Sequence, residues 1–157
     1  KRSRADSTPM LRFVWIFIII SAPVWGQKVI KTYHDPLHLQ VDEEYTVSAA
    51  DGKTLEGPYR RYYQNGKLYI EGNFKNGVRW GTFYEYHTNG TLIRKINYED
   101  GLRHGAVEVY DEQGRNIQRA YYQNNKLVDS IKSYFPNGML KQESVFVKGK
   151  PDGVVKE

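Results

Sequence analysis

From Tyr59 to Phe146 the chain sets apolar and aromatic residues in short alternating runs, each closed by a polar, glycine-bearing break. "KLYIEGNF" is typical: Leu68, Ile70, Gly72 and Phe74 alternate with Tyr69, Glu71 and Asn73. Period two is the mark of a strand with its side chains on two faces. Outside the amino-terminal segment no stretch sustains the 3.6-residue period of a helix. The alternation predicts Leu68 on the face of Ile70 and Phe74. The preceding run is less regular: Tyr59 and Tyr62 stand three apart, so either a bulge joins them on one face or the sheet buries part of both.

The runs repeat. Cuts at Gly57, Gly81, Gly105, Asp129 and Gly153 give units of 24 residues that align without gaps. Tyr62, Tyr86, Tyr110 and Tyr134 coincide, as do Phe74, Tyr98, Tyr122 and Phe146. Gly66, Gly90, Gly114 and Gly138 fall together, and so do Gly77, Gly101, Asn125 and Gly149. Gly81 and Gly105 open the second and third units. Each unit reads as two strands and two turns. Asn-Gly at 65–66, 89–90 and 137–138, with Gln113-Gly114, marks the hairpin within a unit. The turn around Gly77 joins one hairpin to the next. All these glycines are assigned to structural turns.

A fixed period of this kind predicts a stack in which each hairpin touches mainly its neighbours. The expected fold is all-β: one elongated, twisted antiparallel meander of about ten strands, about 45 Å across at ~4.8 Å per strand. Residues 27–56 read as a divergent capping hairpin, with Asp35-Pro36 in its turn. Residues 57–157 hold four repeats and the start of a fifth, "GVVKE".

"MLRFVWIFIIISAPVWGQ" breaks the pattern. Arg12, the apolar run Phe13 to Ile20 and small residues before Gln27 read as a secretory signal, cleaved after Gly26. An uncleaved anchor is the alternative, and Met10 is a second candidate start. Residues 1–26 are thus a disordered leader and a signal peptide. The expected location is periplasmic or secreted, with membrane contact only through that segment if it stays.

"YIEGNFKNGVRWGTFYEY" resembles the MORN repeat in Tyr69, Gly72, Phe74, Asn76-Gly77, Gly81, Phe83 and Tyr86. "YEDGLRHGAVEVY" is a second match, and the period of 24 is similar to that of the bacterial MORN variant, the YwqK-type antitoxin-like group. The resemblance implies a repeat sheet and an intracellular, antitoxin-like binder.

Charge narrows the function. Lys1, Arg2, Arg4 and Arg12 against Asp6 give the first 26 residues +3; of the chain's +5 that leaves +2. So the pI near 9.3 does not signify nucleic acid. The chain has no cysteine, which removes disulfides and thiolate chemistry. His34 and His38 have metal-like spacing, but Pro36 opposes a helix that would aim both rings at one ion. No motif for a catalytic site, cofactor or metal is present, and the expectation is a non-enzyme. Tyr69, Trp80 and Tyr84 are not aromatic at their equivalents, and Tyr63 recurs only as Phe135. These four are the candidate partner-binding surface. The expected function is an exported protein-binding module or scaffold, with a lipid- or glycan-binding surface as a further alternative.

Overall fold

A computed structural model describes residues 27–147 and 150–152 of the chain. The signal segment and Gly149 lie outside the described residues. The first hairpin is β1 (Gln27–Tyr33) and β2 (Val41–Ser48). Then come β3 (Leu55–Tyr62), β4 (Leu68–Lys75), β5 (Val78–Tyr86) and β6 (Leu92–Glu99). β7 (Leu102–Tyr110), β8 (Asn116–Gln123), β9 (Lys126–Tyr134) and β10 (Leu140–Val147) follow, with a two-residue β11 (Lys150–Pro151). The strands pair strictly in chain order, all antiparallel, as one open meander. The all-β expectation holds.

The two kinds of turn differ. At Asn76-Gly77 both residues have positive φ (50° and 78°), and Lys75 pairs directly with Val78. That is what a two-residue type I′ turn requires. Asp100-Gly101 and Asn124-Asn125 repeat it. At Asn65-Gly66 only the glycine is left-handed, and Gly66 N–H closes the turn on Tyr63 O at 2.9 Å. The Asn65 side chain accepts from Lys67 N–H instead. The primed turns therefore join the units. They also dock sideways: Gly77 N–H bonds Leu55 O at 2.9 Å, and Gly101 N–H bonds Arg79 O at 3.0 Å.

Gly81 and Gly105 are not in turns. They stand inside β5 and β7 at φ 74° and 93°. Opposite Gly72, three residues of β5 (81–83) fill the space of one, because Glu71 pairs with Tyr84 and Asn73 with Trp80. The same three-against-one bulge recurs at Gly57, Gly105 and Asp129. A glycine in the left-handed region lets the strand bend there without strain.

A second bulge sits in each even strand. Arg61 pairs with Ile70 and Tyr62 with Leu68, so Tyr69 is extra. Ile93, Ile117 and Lys141 are extra in the same way. Leu68 thus pairs on the face of Tyr62, not that of Ile70, which corrects the simple alternation. No bulge intervenes between Tyr59 and Tyr62, whose pairing with β4 is continuous from Tyr59 to Arg61. They face opposite ways, and both faces of the sheet are used.

One face is apolar. Along it Tyr59, Phe74, Phe83 and Tyr98 meet edge to face, with centroids 5.4, 5.6 and 5.2 Å apart. Phe83, Ile96 and Ala120 are buried in its centre. The Arg79 guanidinium lies over Phe83 and Tyr98 and covers rings that a single sheet leaves open.

Candidate binding surface

The other face is charged, and its order follows from register. Residues directly opposed in an antiparallel sheet share a face. Lys31 pairs with Glu44, Glu44 with Arg60, and Arg60 with Glu71. Glu71 then pairs with Tyr84, and Tyr84 with Lys95. The row continues through Glu108, Arg119, Lys132 and Glu143. Ten strands thus contribute one residue each to a single transverse row. Neighbours form ion pairs at 2.9 Å (Lys31–Glu44), 3.9 Å (Arg60–Glu71), 3.7 Å (Lys95–Glu108) and 3.4 Å (Lys132–Glu143). Arg119 and Lys132 are the one directly opposed like pair in the row, and each turns to the carboxylate on its other side. Tyr84 is the uncharged member.

Beside this row runs the tyrosine ladder. Tyr86 donates its hydroxyl to Glu71 Oε1 at 2.8 Å, and Tyr110 donates to Glu108 Oε2 at 3.0 Å. Burial, then the bond to Glu71, pushes the Tyr86 phenol up to about 12. Tyr110 is raised by burial and by its bond to Glu108. On the apolar face burial raises Tyr59, with its bond to Glu43 adding to the shift. In each, the neutral phenol is the form the fold holds.

The structure divides the four candidate aromatics. Tyr63 and Tyr69 meet at 4.8 Å, both half-buried, and Tyr63 donates its hydroxyl to Tyr86 O at 2.8 Å. They fill the bulge end of the hairpin. Trp80 and Tyr84 share the charged face of β5. Trp80 is 38% exposed, and Lys75 Nζ lies 4.6 Å from its ring centroid. Tyr84 is half-buried, with its ring 6.5 Å from that of Tyr86. The same face exposes Val78, Leu102, Tyr121, Val128 and Val145, placed there by register.

Shallow grooves cross this face. One is lined by Arg60, Glu71, Asn73, Thr82 and Tyr84; another lies among Glu108, Arg115, Asn116, Arg119 and Tyr134. Each has both charge signs on its walls. His34 and His38 make different contacts. His34 Nε2 is 3.1 Å from Tyr62 O and 3.5 Å from Asp42, while the His38 ring stacks on Tyr33 at 4.6 Å. Among the described residues no group of three or more His, Asp or Glu is placed to hold a metal ion.

Sequence reasoning missed the charged row. Its signal was present: Arg60, Tyr84, Glu108 and Lys132 share one position of the unit, and Glu71, Lys95, Arg119 and Glu143 another. Neither position is uniform in sign, so neither stands out until the strands are paired.

Residues 55–76, 81–100 and 130–148 match the MORN repeat variant. The chain therefore carries repeats of that variant, and its second and third matched stretches fall on β5–β6 and β9–β10. No curated protein matches it.

Proposed function

We propose that this chain, built of MORN-variant repeats, is a non-enzymatic exported module that binds a protein partner in the cell envelope through its charged face. The observation that carries this reading is the placement of Trp80 and Tyr84 on one strand of that face, amid paired charges and exposed apolar side chains. Aromatic rings within a polar, charged rim are the composition of protein interfaces. Alternating charge gives such a face register and selectivity more than raw affinity. The shallow grooves fit side chains of a partner better than they enclose a small substrate. Export rests on Arg12 and the apolar run Phe13 to Ile20.

The test uses the full chain in its native cell. A photo-crosslinking residue is placed at Trp80 or Tyr84, cells are fractionated, and the mature amino terminus is sequenced. The reading expects a start at Gln27 in the envelope fraction and a discrete protein adduct at both positions. A cytosolic chain starting at Met10 and cross-linked to a toxin would replace it with the antitoxin-like function. Absence of any protein adduct would remove partner binding.

A further inference from the structure

We infer that the charged face is built to meet a second copy of this chain across a two-fold axis that runs along β5 beneath Tyr84. This rests on the reading of that face as a protein-binding surface, and it names the partner.

The row of charges inverts about Tyr84. To one side come Glu71, Arg60 and Glu44; to the other come Lys95, Glu108 and Arg119. The signs read −, +, − outward on the first side and +, −, + on the second. A two-fold axis along β5 reverses the row. It sets Glu71 against Lys95 of the second copy, Arg60 against its Glu108, and Glu44 against its Arg119. Symmetry makes each contact twice, so six opposite-charge pairs flank the Tyr84 rings. At the outer ends Lys31 meets Lys132, like on like, but those side chains are 46% and 43% exposed and solvent screens them.

Other placements fail. An axis along the row sets every charge on its own kind. An axis half a strand toward β4 sets Arg60 on Lys95 and Glu44 on Glu108. Half a strand toward β6 sets Arg60 on Arg119 and Glu71 on Glu108. The complementarity therefore selects one axis and not a general stickiness.

Geometry agrees. A two-fold along a strand carries a twisted sheet onto a surface of the same twist, so the two faces keep a constant gap. From Glu44 to Arg119 the row crosses six strand spacings, about 29 Å, and strands of eight residues run about 27 Å. The face so defined is on the order of 800 Å² per copy, the size of a standard specific interface. On β5 the axis also brings Trp80 and Val78 onto their own images, covering side chains that are 38% and 40% exposed. Isologous contact of this kind is how most soluble homodimers close.

The chain contains no cysteine, so a single introduced one reports on the axis. In the full chain, Tyr84→Cys is expected to give a covalent dimer in high yield with a short bismaleimide linker, which spans the ~10 Å between facing sheets. Gln118→Cys, on the apolar face opposite Val109, is expected to give little. Sedimentation velocity of the cysteine-free chain should show a dimer that weakens with added salt. Lys95→Glu faces Glu71 of the second copy and should weaken it about tenfold. Adding Glu71→Lys should restore it. Within one copy that double change is unfavourable, since it sets the introduced lysine beside Arg60 and the introduced glutamate beside Glu108, so recovery has to come from contact between copies. Circular dichroism confirms that each variant is folded. A monomer at every concentration, equal cross-linking at Tyr84 and Gln118, or a folded double variant that stays monomeric overturns the second-copy proposal. A monomer that still captures a different protein at Tyr84 leaves the binding function intact.

Discussion

Gly72 lies beneath the ring of Phe83: a Cβ built on Gly72 would stand 2.6 Å from the ring carbons Cγ and Cδ1. The ring occupies the space that a side chain on Gly72 would need, in the middle of the apolar face. In the next unit the equivalent pair is Ile96 with Val107, and in the one after it is Ala120 with Ile131. In these three units the larger side chain of the pair stands now on one strand, now on the other.

Gly72→Ile should therefore destabilise by roughly 1–3 kcal/mol through overpacking. Phe83→Val alone should also destabilise, because it uncovers Gly72. The double variant reproduces the Ile96–Val107 pair and should recover most of the loss. Thermal unfolding of the four proteins gives the coupling energy, and simple additivity would show that the two sites do not share this space.

The fold was legible because the repeat states each turn several times. What the sequence hid lies in the bulges. Alternation treats every residue as one step, yet Tyr69 is an extra step with no cross-strand partner of its own. Counting through it moved Leu68 to the wrong face. Gly81 and Gly105 carry the same left-handed backbone as the turn glycines, so composition alone assigned them to turns. The four candidate aromatics were grouped by their lack of repetition, which does not reveal face: two share β5, and two pack in a bulge. The charged row needed register, because its two positions vary in sign from unit to unit.

The glycines of the two rims should respond differently to substitution. Gly66 and Gly101 share φ of 78°, so either one changed to Ala bears a similar left-handed strain, about 1–2 kcal/mol. A Cβ on Gly66 meets nothing within 4 Å, whereas one on Gly101 comes 3.2 Å from Val78 Cβ. Gly101→Ala should cost more than Gly66→Ala, and in a Val78→Gly background, which removes that Cβ, the difference should vanish. Melting temperatures of these variants check it; equal losses would mean that the turn is free to yield.

The Tyr86 phenol stands at about 12 in the folded chain, against about 10 for an exposed tyrosine. The folded state thus favours the neutral form. That contribution is complete below pH ~10 and is lost as pH rises through the folded value. Absorbance at 295 nm should show late-titrating tyrosines, and Tyr86→Phe should remove one of them without altering the early class. Glu71→Gln, which keeps an acceptor and removes the charge, should move that late step toward ordinary values. A single early transition in the native protein would contradict the bond.

Removing aromatic rings one at a time separates architecture from surface. Tyr86 is half-buried in the ladder, bonded to Glu71 and holding Tyr63 through its carbonyl. Tyr86→Ala removes a ring and the hydroxyl that bonds Glu71, leaving that carboxylate only its longer pair with Arg60, so a loss of roughly 2–4 kcal/mol is expected. Tyr69→Ala should approach that cost, since it strips the ring packed against Tyr63. Trp80 is 38% exposed, with Lys75 Nζ over its ring. Trp80→Ala should therefore cost clearly less, on the order of 1 kcal/mol. Partner capture should reverse the order: Trp80→Ala stays folded yet loses the cross-link at Tyr84, while Tyr69→Ala loses it only in proportion to unfolding. Chemical denaturation and the Tyr84 cross-link, measured on the same three variants, decide between a ring kept for the sheet and one kept for a partner. If Trp80→Ala unfolds the chain as readily as Tyr86→Ala, Trp80 belongs to the architecture, and the binding face loses its aromatic anchor.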